Sequence, residues 1–159
     1  MATYHSRHPD KAITSPAELS EVVAGQKFLT LALCAENRPY LVTISHAFDA
    51  ERNCFYFHCS PVGRKIDLIR ANPHVYGQVL EDNGYLAGQC DHAYRTVQFD
   101  GRAELVGDAA EKLHALNLLT ERLEPEPEPV KARLLKPARL DTIAIVRVTV
   151  TGWSGKKNG

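Results

Sequence analysis

The stretch Asn53–His74, NCFYFHCSPVGRKIDLIRANPH, decides how the chain folds. It opens on alternation, with Phe55, Phe57 and Cys59 on one face and Cys54, Tyr56 and His58 on the other, which predicts a half-buried strand. Ser60-Pro61 breaks the strand, and proline suits a first helical turn. Val62, Ile66 and Ile69 then recur at helical spacing until Asn72-Pro73 stops the run, predicting a helix over 62–72. Gly63, Arg64 and Lys65 stand at the junction. A helix start carries unpaired N–H groups and positive dipole character, so two cations beside it make a site for an anion such as phosphate. The alternative is a solvated Arg-Lys pair on an exposed turn.

Working outward, Ser15-Pro16-Ala17-Glu18 has the form of a capping box and predicts a short helix with Leu19, Val22 and Val23 on its apolar side, ended by Gly25. Residues 1–12 lack pattern and read as a flexible or loosely draped arm. Strands are predicted at Lys27–Cys34, Tyr40–Phe48 and His74–Glu81, and the first two form an antiparallel meander with the opening strand. Asp82–His92 reads as a Gly-rich polar loop. Tyr94–Val106 is a long strand whose Asp100-Gly101 marks a bulge or bend. Asp108 caps a helix striped by Leu113, Leu116, Leu119 and Leu123, which is core packing. Glu124–Pro129, EPEPEP, reads as an extended charged connection (residues 124–130). Thr142–Thr151 is a last strand rich in β-branched residues, followed by a tail, GWSGKKNG. The sum is one α+β domain over 1–159, mainly β, with six antiparallel strands, enough to close a small barrel.

Lys+Arg and Asp+Glu are both 19, so no basic excess points to nucleic acid or to an anionic membrane. The start MATYHSRHPDK lacks a signal-peptide core, and no apolar run would span a bilayer, so the expected location is the cytoplasm. Cys34, Cys54 and Cys59 fall in predicted strands as small buried hydrophobes, and Cys90 in the loop. His58-Cys59 and Cys90-x-His92 could meet as a mixed metal site, but their spacing is unlike that of structural zinc sites, and no metal is expected. His46 and His92 read as ordinary polar residues of a strand end and a loop.

The segments RPYLVTISHAFD, FYFHCSPVGRKIDLIRANPHV and CDHAYRTVQFDGRAELVGD, in that order and spacing, resemble the FMN-binding split-barrel superfamily of pyridoxamine 5′-phosphate oxidase-like proteins, and within it the nitroimidazole-resistance branch. The resemblance implies a split Greek-key β-barrel with flanking helices. It also implies a homodimer holding FMN at the subunit interface. It implies further that Arg64 and Lys65, beside Gly63, hold the flavin phosphate, that Thr43, Ile44 and Ser45 line the flavin ring, and that His58 and Cys59 contact the cofactor. Thr96 falls where the oxidases carry a cofactor-binding glutamine. No extension resembling the oxidases' substrate-binding C-terminus follows KKNG. The implied activity is therefore reduction of a nitro or quinone-like compound, with NADH or NADPH as donor and His58 as a candidate residue near the substrate; His58 could equally be a core histidine. No G-x-G-x-x-G is present to hold that donor as a fixed partner. Two rivals share the barrel: a flavin- or haem-binding storage protein, with His58, His74 or His92 as iron ligand, and a scaffold with an empty cleft.

Overall fold

The computed structural model describes residues 8–159. Seven antiparallel strands form one sheet: β1 (Phe28–Ala35), β2 (Arg38–Ser45), β3 (Ala47–Asp49), β4 (Cys54–Cys59), β5 (His74–Leu86), β6 (Asp91–Leu105) and β7 (Ala144–Asn158). The spatial order is β2-β1-β5-β6-β7-β4-β3. The two edge strands are thus neighbours in the chain, separated only by His46. A sheet whose edges are joined by one residue has to curl until they approach, which gives a half-barrel, called the barrel below.

This corrects the expectation of six strands. The predicted strand Tyr40–Phe48 breaks at His46, whose N–H leaves the ladder and donates to Lys27 O at 3.2 Å. Before the break the chain pairs with β1; after it, Ala47–Asp49 pairs with β4. The predicted meander is therefore two hairpins on opposite sheet edges. The loop predicted at Asp82–His92 is mostly the tip of the β5–β6 hairpin, bulged between Asp82 and Tyr85. The bulge at Asp100-Gly101 is where it was expected. The last strand runs through the whole GWSGKKN segment, pairing Tyr94 with Asn158.

Helices α1 (Pro16–Gly25) and α2 (Arg64–Ala71) sit at opposite ends of the barrel, because α1 leads into the start of β1 while Asn72 Nδ2, just after α2, donates to Cys34 O near its end. Ser15 Oγ caps α1, as the capping box predicts. Leu29, Leu31, Leu33, Phe55, Phe57, Val79, Val97 and Phe99 fill the interior, closed by Val22 and Val23 from α1 and Ile66 and Ile69 from α2. Each such aliphatic side chain contributes roughly 2 kcal/mol of burial. Val62, predicted on the apolar face of α2, lies before the helix and is 73% exposed.

Three more helices, α3 (Ala109–Leu123), α4 (Pro127–Leu134) and α5 (Pro137–Leu140), cover the outside of β3, β4 and β7. A second core of Cys54, Tyr56, Ala115, Leu116, Leu140 and Ile145 forms there. Cys54 through Phe57 are consequently buried on both faces, not half-buried as the alternation predicts. Leu113 of the stripe is exposed. The EPEPEP segment is not wholly extended, since α4 starts at Pro127 and places Pro127 and Pro129 in a first turn, where no N–H is required. Of the predicted arm, residues 1–7 lie outside the described residues; Pro9–Lys11 forms a single 3₁₀ turn and Ala12 bridges to Lys156.

Candidate functional site

Strand β4 delivers Cys59 to the rim of the barrel, and the Ser60–Gly63 turn carries the chain into α2. Gly63 has φ +129 and ψ 167, a conformation for which a Cβ would be strained, and nothing lies within 4 Å of where one would stand. Its carbonyl accepts from Ile66 N (2.9 Å) and Asp67 N (3.1 Å), and no side chain caps the helix. Of the first-turn N–H groups of α2, Ile66 N is thus satisfied, and those of Arg64 and Lys65 open toward the groove without a side-chain cap. Tyr40, Cys59, Ser60, Gly63, Arg64 and Lys65 line a groove of about 200 Å³ here.

Both cations are steadied by aromatic rings. Arg64 Cζ lies 4.8 Å from the Tyr40 ring centroid, and Lys65 Nζ lies 5.6 Å from that of Phe57. Neither cation is in an ion pair with a carboxylate among the described residues; Asp67 is an acidic residue of the same first turn. Tyr40 is a member of the groove that the sequence reading missed; the cue was an aromatic beside Arg38-Pro39, visible only once β2 and α2 are placed together.

The remaining predicted residues divide. Thr43 and Ser45 are exposed on the outer face of β2, while Ile44 turns inward to the core. Thr43 Oγ1 and Thr30 Oγ1 are hydrogen-bonded at 3.0 Å. His58 and Cys59 point to opposite faces of β4, so Cys59 lines the groove and His58 does not. His58 is exposed, not a core histidine. Desolvation by its neighbours, then the Lys65 charge, hold its imidazole below the usual pKa. Burial pushes the Cys59 thiol up, with Lys65 opposing.

Thr96 lies on β6, its Oγ1 donating to Val79 O at 3.3 Å. Thr96 pairs with Leu80, and the β5–β1–β2 register carries that row on through Phe28 to Ser45. Three strand spacings, about 14 Å, separate Thr96 from Ser45. One chain therefore gathers Cys59, Gly63, Arg64 and Lys65 and leaves Thr43 and Ser45 exposed on an outer sheet face, with Thr96 buried farther along the same row. That face exposes Phe28 (64%), Leu41 (68%) and Leu80 (48%).

The cysteines and the remaining histidines divide. Cys34 is exposed, Cys54 is buried, and Cys90 is exposed on the hairpin tip. Among the described residues no three His, Cys, Asp or Glu side chains gather as metal ligands. His92 pairs with Asp82, Nε2 to Oδ1 2.8 Å. His46 is fully buried, and neither ring nitrogen has a hydrogen-bond partner among the described residues. Burial first, then the Arg122 charge, lower its pKa to about 4.

Comparison with known proteins agrees with this architecture. Residues 15–157 match the pyridoxamine 5′-phosphate oxidase family, and the chain belongs to it. An uncharacterized protein of Rhizobium meliloti (strain 1021) is 30% identical over 131 residues, covering 74% of this chain and 80% of the relative. An FAD-binding protein from Mesorhizobium loti superposes with TM-score 0.67 at 25% identity, over 94% of this chain and 98% of that one. A candidate 5-nitroimidazole antibiotic resistance protein from Bacteroides thetaiotaomicron gives 0.74 at 18% identity, over 91% and 85%. The flavocytochrome Anf3 of Azotobacter vinelandii gives 0.82 at 18%, over 97% and 72%.

Proposed function

We propose that this chain is an FMN-binding oxidoreductase that reduces a small nitro or quinone-like molecule, with NADH or NADPH as electron donor. The observation that carries it is the uncapped start of α2, where Arg64 and Lys65 line one groove with Gly63 and, among the described residues, form no ion pair with a carboxylate. Such a set fits a flavin phosphate: two cations, amide donors, and a glycine that keeps a side chain out. Tyr40 and Phe57 hold the cations in place, and the outer face with Thr43 and Ser45 supplies hydroxyls toward the ring. When bound, the flavin supplies the redox chemistry. His58, an uncharged imidazole at neutral pH, is the candidate to hydrogen-bond a substrate at the rim.

Because Thr96 and the cation groove are separate within one chain, the complete site is built by a homodimer that packs the exposed Phe28, Leu41 and Leu80 face. The similarity to an FAD-binding protein at 25% identity supports a flavin. Among the described residues no helix is long and apolar enough to cross a membrane. A cytoplasmic location is part of the proposal.

The likeness to a flavocytochrome favours one second reading, a flavin- or haem-binding storage protein with His58, His74 or His92 as iron ligand. The visible spectrum of the purified protein decides between them: flavin bands together with NADH- or NADPH-driven reduction of a nitro acceptor support the first. A Soret band without turnover supports the second, and a protein that takes up neither cofactor overturns both.

A further inference from the structure

A second cavity lies at the other end of β4. Pro16, Leu19 and Val23 of α1 face Phe48, Asn53 and Trp153 across a space of about 220 Å³ at the barrel mouth. β4 is six residues long, so this pocket and the cation groove are roughly 20 Å apart. We propose that it is a separate binding site for a small uncharged aromatic molecule bearing one hydrogen-bonding substituent, of the phenol class.

The walls argue for that ligand. Phe48 and Trp153 meet edge to face, with ring centroids 5.6 Å apart, and both pack on Phe55 at 4.8 and 5.9 Å. Such a cluster offers ring faces and edges to a further ring at centroid distances of about 4.5–7 Å. A dry cavity of about 150 Å³ is enough for benzene, so the space here takes one ring with a substituent. Among the described residues no charged side chain lines it, which argues against an ionic ligand.

The polar groups are few and placed. Trp153 Nε1 donates to Asn53 Oδ1 (3.2 Å), and Asn53 Nδ2 donates to Val150 O (3.1 Å), leaving its second amide hydrogen and the Ser20 hydroxyl at the rim. Helix α1 is held in place over the pocket, since Lys157 Nζ donates to Glu18 at 2.9 Å and Arg95 to Glu21 at 3.1 Å, tying α1 to the sheet. Pockets at barrel mouths, apolar with a few convergent polar groups, are where small ligands bind.

Trp153 is the chain's one tryptophan, so its indole N–H gives a single resonance that reports on the pocket alone. Titrating the whole protein with 4-fluorophenol should shift that resonance saturably, with half-saturation at or below about 1 mM, within reach of a ligand of so few atoms. Ser20→Phe, at an exposed helix position on the rim, should weaken the effect at least about tenfold; Ala50→Phe on the facing turn serves as a second blocked variant. No saturable shift in the native chain overturns the site, as does a shift that survives both blocked variants while they remain folded. The readout does not depend on flavin, so it stands or falls apart from the cofactor assignment.

Discussion

At the scale of single residues, His46 gives the sharpest expectation. Its pKa is near 4 in the fold and 6.5 in a solvated chain, so the unfolded state takes up the proton first. The stability held by the neutral ring is complete above pH 6.5 and is lost as pH falls toward 4, by about 3 kcal/mol for a shift of this size. Denaturant titrations at pH 7 and pH 4.5 should show that loss, and His46→Leu should remove much of it; equal pH dependence in both proteins rules His46 out. Gly77 is a steric counterpart. A Cβ there would stand 2.1 Å from Phe99 Cζ, inside the packed aromatic core. Gly77→Ala should cost about 1–3 kcal/mol in a denaturant melt, and an unchanged midpoint would mean Phe99 moves aside freely. Neither residue's role was legible in the sequence. A histidine in YLVTISHAF looks like a strand end, and only the closure of the barrel buries it beside Arg122, whose guanidinium donates to Val23 O and Gln26 O.

Among elements, α3 depends on polar contacts beneath its leucines. Tyr56 Oη donates to Glu111 Oε1 at 2.8 Å, Arg147 Nη1 donates to the same oxygen at 2.8 Å, and Arg147 Nη2 reaches Glu104 at 3.0 Å. Desolvation first, helped by the hydrogen bonds to Glu111 and Cys54 and opposed by the one from Arg52, pushes the Tyr56 hydroxyl pKa well up, so it stays protonated and donating. Glu111→Ala would leave a buried hydroxyl and a half-buried guanidinium without their acceptor. The expected loss is about 2–4 kcal/mol of stability, with fraying of α3 seen by hydrogen exchange. A loss below about 1 kcal/mol would mean water replaces the carboxylate. Local rules carried well here: Ser15 and Asp108 cap their helices as predicted, and Asn72-Pro73 ends α2. Where the reading failed, a longer-range choice intervened. The break at His46 follows from β3 pairing with β4, a partner that strand periodicity cannot name. The hairpin tip and the GWSGKKN strand are likewise held by cross-strand pairing of β5, β6 and β7, despite polar sequence.

For the whole molecule, the cation groove was legible from Gly63-Arg64-Lys65 because it lies within one local junction, whereas the role of Thr96 was not, because it rests on which surfaces meet. The exposed outer face bears on that question. Phe28, Leu41 and Leu80 stand exposed among Thr30, Thr43 and Gln78, and an apolar patch rimmed by polar groups is how an interface presents itself. If two copies pack these faces, each brings its Thr43, Ser45 and Thr96 toward the other's cation groove, and cofactor retention depends on assembly. Two variants separate the contributions. Arg64→Ala with Lys65→Ala should lower FMN affinity by a few kcal/mol, given about 1.5–3 for each hydrogen bond to a charged group, while leaving a dimer in light scattering. Phe28→Arg with Leu41→Arg should give a folded monomer that loses flavin although Arg64 and Lys65 are intact, because burying four unpaired cations in a symmetric interface is prohibitive. A monomer that keeps its flavin would show that one chain suffices, and the exposed face would then need another explanation.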